Sequence, residues 1–411
     1  MSAPSAESDT RPIAAYVASL ELMKISSLLP SNENRSTMVH TLARALGLFS
    51  KDFSPTRTIA LVPPQSAGFT ELNTYHTKEY LDFILDPQTV ANGSDATKAE
   101  FGLRDDCPPF EGMSDYVRLV GGASLTAVKM LRQPRCDVAI CWDGGRHHAQ
   151  KAQAAGFCYV ADCTLALMAL RRLTQPSPSP TAGPTVARKM RTMYLDLDLH
   201  FSDGVSHAFH QTSTGSPHLL TFSIHHAAPG FFPVSPLAAQ PTANTDPFTL
   251  SLPLCPGASN RTFARAWQCV ERVREAFDPD YVVLQCGVDG LAGDPCAIFN
   301  WSLGPNEGSL GWCVGKVVNE WRGKKLLLGG GGYDSPNAAR AWAYLTSVAL
   351  GEPLSLDTPI PDHPYFPLYA PSFLLDVPAG NMQDQNSDDY LRAVEEAFDS
   401  VVATIGERIA K

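Results

Sequence analysis

Short apolar segments that alternate with longer amphipathic segments are the feature that most constrains the fold of this chain. The short segments that read as strands are CDVAICW, MYLDLDLH, LLTFSIHH, DYVVLQCGVD and KKLLLGGGGY. Apolar residues repeat at the helical period in 114–132, 164–173, 261–277, 308–322 and 337–350. This alternation favours a parallel sheet. We therefore expect an α/β fold with a mostly parallel central sheet and helices on both faces.

The pattern continues along almost the whole chain, which predicts one domain over residues 12–411. Two segments rich in Pro, Ser and Thr, 174–185 and 238–247, interrupt it and are interpreted as exposed loop insertions, because the pattern resumes directly after each. Residues 1–11 are expected to be disordered. Residues 388–411 are expected to form an amphipathic helix after a polar loop.

Composition argues against several classes of function. The formal net charge of the 411 residues is -10, so no broad cationic surface is available for direct contact with nucleic acid. No apolar run reaches the roughly 20 residues of a membrane helix, and the N-terminus lacks the features of a signal peptide. The ten cysteines form no C-x-x-C pair and are expected to be reduced and mostly buried. We expect an intracellular protein that contacts neither a membrane nor nucleic acid.

The segment YLDLDLHFSDG places carboxylates on a strand that the pattern predicts to be buried. Side chains alternate along a strand, so Asp196, Asp198 and His200 would share one face. A wet acidic face is common in antiparallel sheets, but a central parallel strand is covered on both faces. Buried carboxylates need hydrogen bonds, cations or a metal to offset their desolvation. The D-x-D-x-H pattern therefore indicates a metal site at the carboxyl end of a strand.

A second apolar strand, YVVLQCGVD, ends in Asp289. Asp198, His200 and Asp289 would make three protein ligands with a fourth position open, which is typical of catalytic zinc. Each residue taken alone is more often a cap, a turn residue or a surface group. Their combination at two strand ends favours the metal site.

Two further motifs supply groups for catalysis. A Gly-Gly turn after CDVAICW leads to His147 and His148, which suit a proton-transfer pair, and Asp196 and Asp203 are available to orient their Nδ1 atoms. Four glycines precede Tyr333 and would let its hydroxyl approach a reacting centre. The competing interpretation, a phosphate-binding loop, lacks both of the usual glycine signatures.

These motifs together resemble a known family. DGGRHHAQ, GFCYVADC, YLDLDLH-x-x-DG, PGFFP, QCGVDGLAGDP and GGGGY follow one another as in the class I zinc-dependent histone deacetylases of the arginase/deacetylase superfamily. The similarity spans about residues 13–368 and is greatest to the histone deacetylase 8 type and its fungal counterparts. It implies zinc-dependent hydrolysis of N-ε-acetyl-lysine in proteins, with release of acetate. Implied substrates are histone tails or a cohesin-type subunit, with chromatin complex subunits as partners, and the implied location is the nucleus, with the cytoplasm as a second location.

The resemblance also implies a role for individual residues. It assigns zinc to Asp198, His200 and Asp289, the pairs His147–Asp196 and His148–Asp203 to proton transfer, and oxyanion donation to Tyr333. The implied substrate contacts are Asp106 at the rim, Gly156, Phe157 and Phe232 in the tunnel, Cys296 at its floor, Gly331 beside it, and Arg35 near an acetate exit path. Structural K⁺ or Na⁺ would lie at one site with Asp196, Asp198, His200, Ser223 and Ile224, and at a second with Phe209, Thr212 and Phe248.

The sequence departs from the family pattern at a few positions. Phe201 and Ser202 replace a histidine and a glycine that are not metal ligands, and Ala161 replaces a supporting asparagine. Arg146 and Cys296 stand where apolar residues are usual and bear on substrate preference. Two alternatives stay open: another hydrolase of the superfamily, acting on acetylpolyamines or, with two manganese ions, on arginine, and a non-catalytic acetyl-lysine-binding scaffold of a chromatin complex.

Overall fold

Eight parallel strands form the centre of the computed structural model, which describes residues 9–176, 187–210, 218–242 and 245–409. A separate antiparallel pair, β4 and β5, forms a small hairpin. In chain order the strands are β1 (Ile13–Val17), β2 (Thr58–Val62), β3 (Cys136–Cys141), β4 (Thr174–Pro176), β5 (Ala187–Lys189), β6 (Thr192–Asp196), β7 (Leu219–His226), β8 (Thr249–Leu254), β9 (Tyr281–Gln285) and β10 (Lys324–Leu328). The order across the central sheet is β2-β1-β3-β10-β9-β6-β7-β8.

Helices fill the connections between these strands. They are α1 (Leu20–Ser26), α2 (Arg35–Ala45), α3 (Phe69–Leu72), α4 (Lys78–Ile84), α5 (Pro87–Asn92), α6 (Asp95–Glu100), α7 (Met113–Leu131), α8 (Asp162–Arg171), α9 (Asp203–Phe209), α10 (Asn260–Phe277), α11 (Leu310–Gly315), α12 (Ser335–Leu350) and α13 (Asp388–Ile409). A π-helical turn, Lys316–Glu320, extends α11, and short 3₁₀ turns lie at Pro236–Ala238 and Phe366–Tyr369. All six helices expected from periodicity are present, within a few residues of the predicted bounds.

Alternate residues of the central strands pack into two separate cores, one on each face of the sheet. On β9, Val282 and Leu284 belong to the core that includes α2, α10, α12 and α13. Val283 on the same strand belongs to the core that includes α4, α7 and α8. The central strands are therefore buried on both faces, which explains why they read as continuous apolar runs. The expected α/β architecture with helices on both faces is confirmed.

The strand order determines where polar groups meet. Strands β3, β10, β9 and β6 are neighbours in the middle of the sheet and all run in one direction. Their carboxyl ends therefore lie side by side, although they are far apart in the chain. The loops that follow them carry the histidine pair, the glycine run with Tyr333, and the aspartates singled out in the sequence.

Some details of the sequence interpretation were wrong. The strand predicted to run through His200 ends at Asp196, so Asp198 and His200 lie in the loop that follows. Strands β1, β2 and β8 were not predicted. Pro253 in β8 is tolerated because β8 is an edge strand.

The two predicted insertions also differ from plain exposed loops. Residues 174–176 form β4 and pair with β5, and residues 177–185 lie outside the described part of the chain. In 238–247, Ala238, Pro241, Asp246 and Pro247 are buried. The disorder expected for residues 1–11 falls mostly on residues outside the described ranges, whereas the Arg11 guanidinium donates a 3.1 Å hydrogen bond to the Lys51 carbonyl.

Two other observations bear on the expected cellular context. All ten cysteines are free, and eight of them are buried. Among the described helices, none combines the length and apolar character required to cross a bilayer.

Candidate active site

The loops after β3 and β10 pass very close to each other and bring two motifs together. At Gly145, φ is +90° and a Cβ atom would lie 2.2 Å from the Gly329 carbonyl oxygen, so only glycine fits there. His147 and His148 follow this turn and are both buried. The histidine pair is thereby placed against the glycine run that precedes Tyr333.

Three side chains predicted as metal ligands converge beyond β6 and β9. His200 Nδ1 lies 2.8 Å from Asp289 Oδ2 and 3.3 Å from Asp198 Oδ1. The second oxygen of Asp198 accepts hydrogen bonds from Gln285 Nε2 and the Gly331 amide, and that of Asp289 accepts one from the Leu199 amide. One oxygen of each carboxylate is thus held in place, and the other faces the imidazole.

The electrostatics of this cluster suit a divalent cation. Asp198 and Asp289 are each 1% exposed, and burial together with the charge of Asp198 raises the pKa of Asp289. A cation between the carboxylates would offset a desolvation cost of several kcal/mol per ion, on the order given for buried charges. One imidazole nitrogen and two carboxylate oxygens form a donor set that fits catalytic zinc. Cys296 Sγ is a further donor, since His200, Asp289 and Cys296 place ligand atoms within 4.8 Å of one another.

Both predicted histidine–aspartate pairs are formed. His147 Nδ1 lies 2.8 Å from Asp196 Oδ2, and His148 Nδ1 lies 2.7 Å from Asp203 Oδ1. These contacts orient both rings through Nδ1. His147 Nε2 lies 3.7 Å from Asp198 Oδ1.

The pKa values of the two imidazoles are shifted in opposite directions. Burial alone would lower the pKa of His147, but the carboxylates of Asp196, Asp198 and Asp289 raise it to about 9. Burial and the neighbouring His147 lower the pKa of His148 to about 4, despite the hydrogen bond to Asp203. At neutral pH this arrangement keeps His148 neutral and available to accept a proton.

Tyr333 is held in its loop by its backbone. Its amide donates a 2.7 Å hydrogen bond to Asp294 Oδ2, and its ring centroid lies 5.6 Å from that of Phe157. Burial and the charges of Asp289 and Asp198 raise the pKa of its hydroxyl well above the usual value. The hydroxyl therefore stays protonated and can donate a hydrogen bond.

Aromatic residues surround the approach to this cluster. The Phe232 ring is 43% exposed and lies 4.9 Å from the His148 ring, centroid to centroid. Phe157, with φ of +62°, follows Gly156, where a Cβ atom would lie 2.5 Å from His148 Cδ2. Asp106 Oδ2 accepts a 2.7 Å hydrogen bond from the Gly156 amide, which ties the rim to this turn.

Arg35 and Arg146 lie behind the site in a small buried cavity. The Arg35 guanidinium donates a 2.7 Å hydrogen bond to the Gly332 carbonyl and lies 4.8 Å from the Trp342 ring centroid. Arg146 is 5% exposed and its guanidinium donates to the Asp143 carbonyl. Arg35 and Arg146 both line this cavity.

Residues expected at the monovalent cation sites are placed as follows. Asp196 and Ser223 are paired neighbours on β6 and β7, and Ile224 follows Ser223. The Ser223 hydroxyl lies 2.9 Å from His225 Nδ1. Phe209 ends α9, and Phe248 is buried directly before β8. Thr212 lies outside the described residues.

Sequence reasoning missed several supporting residues. Phe231 stacks on His200 with ring centroids 5.2 Å apart, Gln285 positions Asp198, and Tyr194 donates to Asp196. Gln150 Nε2 donates a 2.9 Å hydrogen bond to Asp203 Oδ2. The position of Gln285 at the end of a buried strand was a usable signal, because a buried amide needs partners.

Comparison with known proteins agrees with this geometry. A model of the histone deacetylase domain matches residues 29–349. Histone deacetylase 8 of Danio rerio is 35% identical over 390 residues, which is 94% of either chain, and that of Xenopus tropicalis is 34% identical over 385 residues, 93% of this chain and 95% of the relative. Histone deacetylase 1 of Homo sapiens is 31% identical over 370 residues, 89% of this chain and 70% of the relative. The chain belongs to the histone deacetylase family.

Proposed function

We propose that this protein hydrolyses N-ε-acetyl-lysine in proteins to lysine and acetate. The observation that carries this proposal is the convergence of Asp198, His200 and Asp289 beside two buried histidine–aspartate pairs. All of these groups lie at the carboxyl ends of the central strands. Membership of a family of lysine deacetylases that is zinc-dependent in general supports it.

Asp198, His200 and Asp289 would hold zinc. When bound, zinc polarises the acetyl carbonyl and lowers the pKa of a water molecule from 15.7 toward roughly 7. The hydrogen bonds from Gln285 and Leu199 keep one oxygen of each carboxylate occupied, so that the remaining oxygens keep a fixed direction.

The surrounding side chains move the protons. His148 Nε2 accepts the proton of the attacking water and later donates it to the leaving amine, while Asp203 holds the ring through Nδ1. His147 supplies mainly positive charge next to the reacting centre. The protonated Tyr333 hydroxyl donates to the developing oxyanion, a contribution worth about 10²- to 10³-fold in rate.

The aromatic approach explains how a lysine chain would reach this centre. Phe157, Phe232 and the side-chain-free Gly156 would line a narrow apolar tunnel for the methylene groups, with Cys296 at its floor and Gly331 beside it. Asp106 would accept hydrogen bonds from the substrate backbone at the rim. Arg35 would interact with acetate as it leaves.

Monovalent cations would stabilise the ends of β6 and β7 below the zinc. Asp196, Ser223 and Ile224 lie on adjacent strands and offer carbonyl and side-chain oxygens for K⁺ or Na⁺. Phe209, Phe248 and Thr212 would contribute to a second site. Histone tails or a cohesin-type subunit are the proposed substrates, chromatin complex subunits the proposed partners, and the nucleus, with the cytoplasm, the proposed location.

The test is release of lysine from an acetyl-lysine peptide, measured with a zinc chelator and again after zinc is restored. We expect chelation to abolish turnover and zinc to restore it. N-acetylputrescine as the preferred substrate would replace this proposal by a polyamine hydrolase, and tight peptide binding without product would replace it by a scaffold. Tyr333→Phe should bind the peptide normally and lower kcat by about 10²-fold or more. Wild-type kcat in that variant would contradict the role of Tyr333.

A further inference from the structure

The cavity that Arg35 and Arg146 line is small and closed. Its volume is about 10 Å³, close to the roughly 10–15 Å³ that one water molecule needs. Arg35 is the first residue of α2, and Arg146 lies in the loop after β3. The two side chains are 3% and 5% exposed. Two buried guanidinium groups therefore border a space for one small occupant.

The hydrogen-bond partners of both guanidinium groups are neutral. Arg35 Nη1 donates to the Gly332 carbonyl, and the Asn32 side-chain amide lies 3.1 Å from Arg35 Nη2. Arg146 Nε and Nη2 both donate to the Asp143 carbonyl, at 3.3 and 3.1 Å. Among the described residues, Arg146 Nη1 has no hydrogen-bond partner, and neither guanidinium group forms an ion pair with a carboxylate. Neutral oxygens accept hydrogen bonds but do not compensate buried charges.

The Asp143 carboxylate also lines the cavity, but its contact lies elsewhere. Asp143 Oδ2 lies 2.9 Å from His40 Nε2, and His40 Nδ1 lies 2.8 Å from the Tyr16 hydroxyl. Arg35 and Arg146 carry two positive charges, and Asp143 carries one negative charge. Positive charge is therefore in excess around the cavity, and one monovalent anion would reduce it.

The two guanidinium groups repel each other across this space. Burial and the positive charge of Arg146 lower the pKa of the Arg35 guanidinium to about 10, so that it is still protonated at neutral pH. The Trp342 ring, 4.8 Å away, covers one face of the Arg35 guanidinium without supplying a full negative charge. An anion between the two groups would replace one repulsion by two attractions.

Arg146 makes this arrangement a feature of this chain. An apolar residue is usual at its position in the family, and such a residue would leave Arg35 as the one arginine in the wall of the cavity. The arginine at position 146 adds a second buried charge without adding a carboxylate partner. A buried charge of this kind needs a counter-ion.

An occupant would connect two loops that carry catalytic groups. Arg146 directly precedes His147, and its amide donates a 2.7 Å hydrogen bond to Asp162 Oδ1. Arg35 holds the Gly332 carbonyl, directly before Tyr333. An anion shared by the two guanidinium groups would therefore link the histidine loop to the glycine run.

We propose that an inorganic anion of the size of chloride resides between Arg35 and Arg146 and holds the loop after β3 against the glycine run before Tyr333. Acetate has four heavy atoms and exceeds the space in the closed cavity, so the resident anion is distinct from the reaction product. This site does not depend on the deacetylase reaction. Chloride and bromide are the probes, and gluconate is the anion that is too large to enter.

Crystals of the zinc-loaded full chain grown in sodium bromide test the site directly. We expect an anomalous bromide peak in the cavity, in contact with both guanidinium groups, and no such peak in Arg146→Leu. The variant restores the apolar residue that is usual in the family. A wild-type cavity without a bromide peak would overturn the site, and an equal peak in the variant would overturn the role of Arg146.

Thermal unfolding tests the same site in solution. Sodium chloride should raise the Tm of the wild type by about 2 °C relative to sodium gluconate at equal ionic strength, because the anion binds only the folded chain. Arg146→Leu should lose this difference, whereas Arg44→Gln, at an exposed position of α2, should keep it. Equal chloride effects in both variants would indicate a general salt effect and overturn the site. Equal stabilisation of the wild type by sodium acetate would overturn the ligand class.

Amide hydrogen exchange tests the link between the two loops. Chloride should slow exchange in residues 142–148 and 328–333 of the wild type relative to gluconate, and should leave exchange in Arg146→Leu unchanged. Slowing that is uniform along the chain, or absent from these two segments, would overturn the link. None of these measurements needs turnover, so failure of the deacetylase proposal would leave their results readable.

Discussion

The two histidine–aspartate pairs have the same chemistry but different surroundings. His147 faces three buried carboxylates, and its partner Asp196 is fully buried and also accepts from Tyr194 and from the Asp198 amide. His148 faces aromatic rings, and its partner Asp203 retains 8% exposure and accepts from Gln150. The pKa of His147 is raised and that of His148 is lowered. Both rings have a partner aspartate, but His147 also faces Asp198 and Asp289, whereas burial and the neighbouring His147 dominate at His148.

Alanine substitutions of the two histidines should separate their roles most strongly. We expect His148→Ala to lower kcat by about 10³-fold, because the proton acceptor is lost. The loss of kcat in His147→Ala should be smaller by a factor of about ten or more. Turnover of an acetyl-lysine peptide measures both, and metal analysis should give equal zinc content. A larger loss in His147→Ala would reverse the assignment.

Asparagine substitutions of the two partner aspartates, Asp203 and Asp196, should affect different properties. Asp203→Asn should lower kcat by about 10- to 100-fold at an unchanged melting temperature, because the contacts of the Asp203 side chain are with His148 and Gln150, next to the reacting centre. Asp196→Asn should lower the melting temperature as well, since Asp196 also holds Tyr194 and the Asp198 backbone. Thermal unfolding and peptide turnover on the same samples check this. Equal melting temperatures in the two variants would contradict the distinction.

Gln150→Leu removes the hydrogen bond that Asp203 accepts from the Gln150 side chain. A hydrogen bond contributes about 0.5–1.5 kcal/mol, so kcat should fall about five-fold. Gln153→Leu, at an exposed neighbouring position, is the matched control and should keep wild-type kcat. The prediction fails if both variants behave alike.

The smallest expected effect is in the pH profile. A general base is active when neutral, and His148 with a pKa of about 4 stays neutral until the pH falls close to that value. Between pH 7.5 and 5.5, kcat/KM should therefore fall less than about two-fold. An acidic limb centred near 6.5 would show that His148 is not shifted, or that another group controls the reaction.

The sequence predicted which site residues come together at the ends of the strands. Asp196 ends an apolar strand, Asp198, Asp289 and His148 follow apolar strands, and parallel pairing brings these strand ends together. It could not predict the direction of each histidine's pKa, because this depends on which carboxylates face which ring after folding.

Contacts within loops were also beyond sequence reasoning. Phe231 reads as one residue of a PGFFP motif, and nothing in the motif indicates which ring stacks on His200. The strand with Asp196 was predicted too long because alternation continues through Leu199, although pairing with β7 and β9 stops at Asp196. The edge strand β8 was missed because Pro253 weakens the strand signal.

The position of β10 in the sheet has a consequence for how the molecule matures. Although it is the last strand of the chain, it lies in the middle, between β3 and β9. A nascent chain that ends before Lys324 can pair β1, β2 and β3, and separately β6 to β9, but no strand pairing joins these two groups of strands. His148 belongs to the first unit and Asp198 and Asp289 to the second. The two halves of the active site therefore become parts of one continuous sheet only once nearly the whole chain has been synthesised.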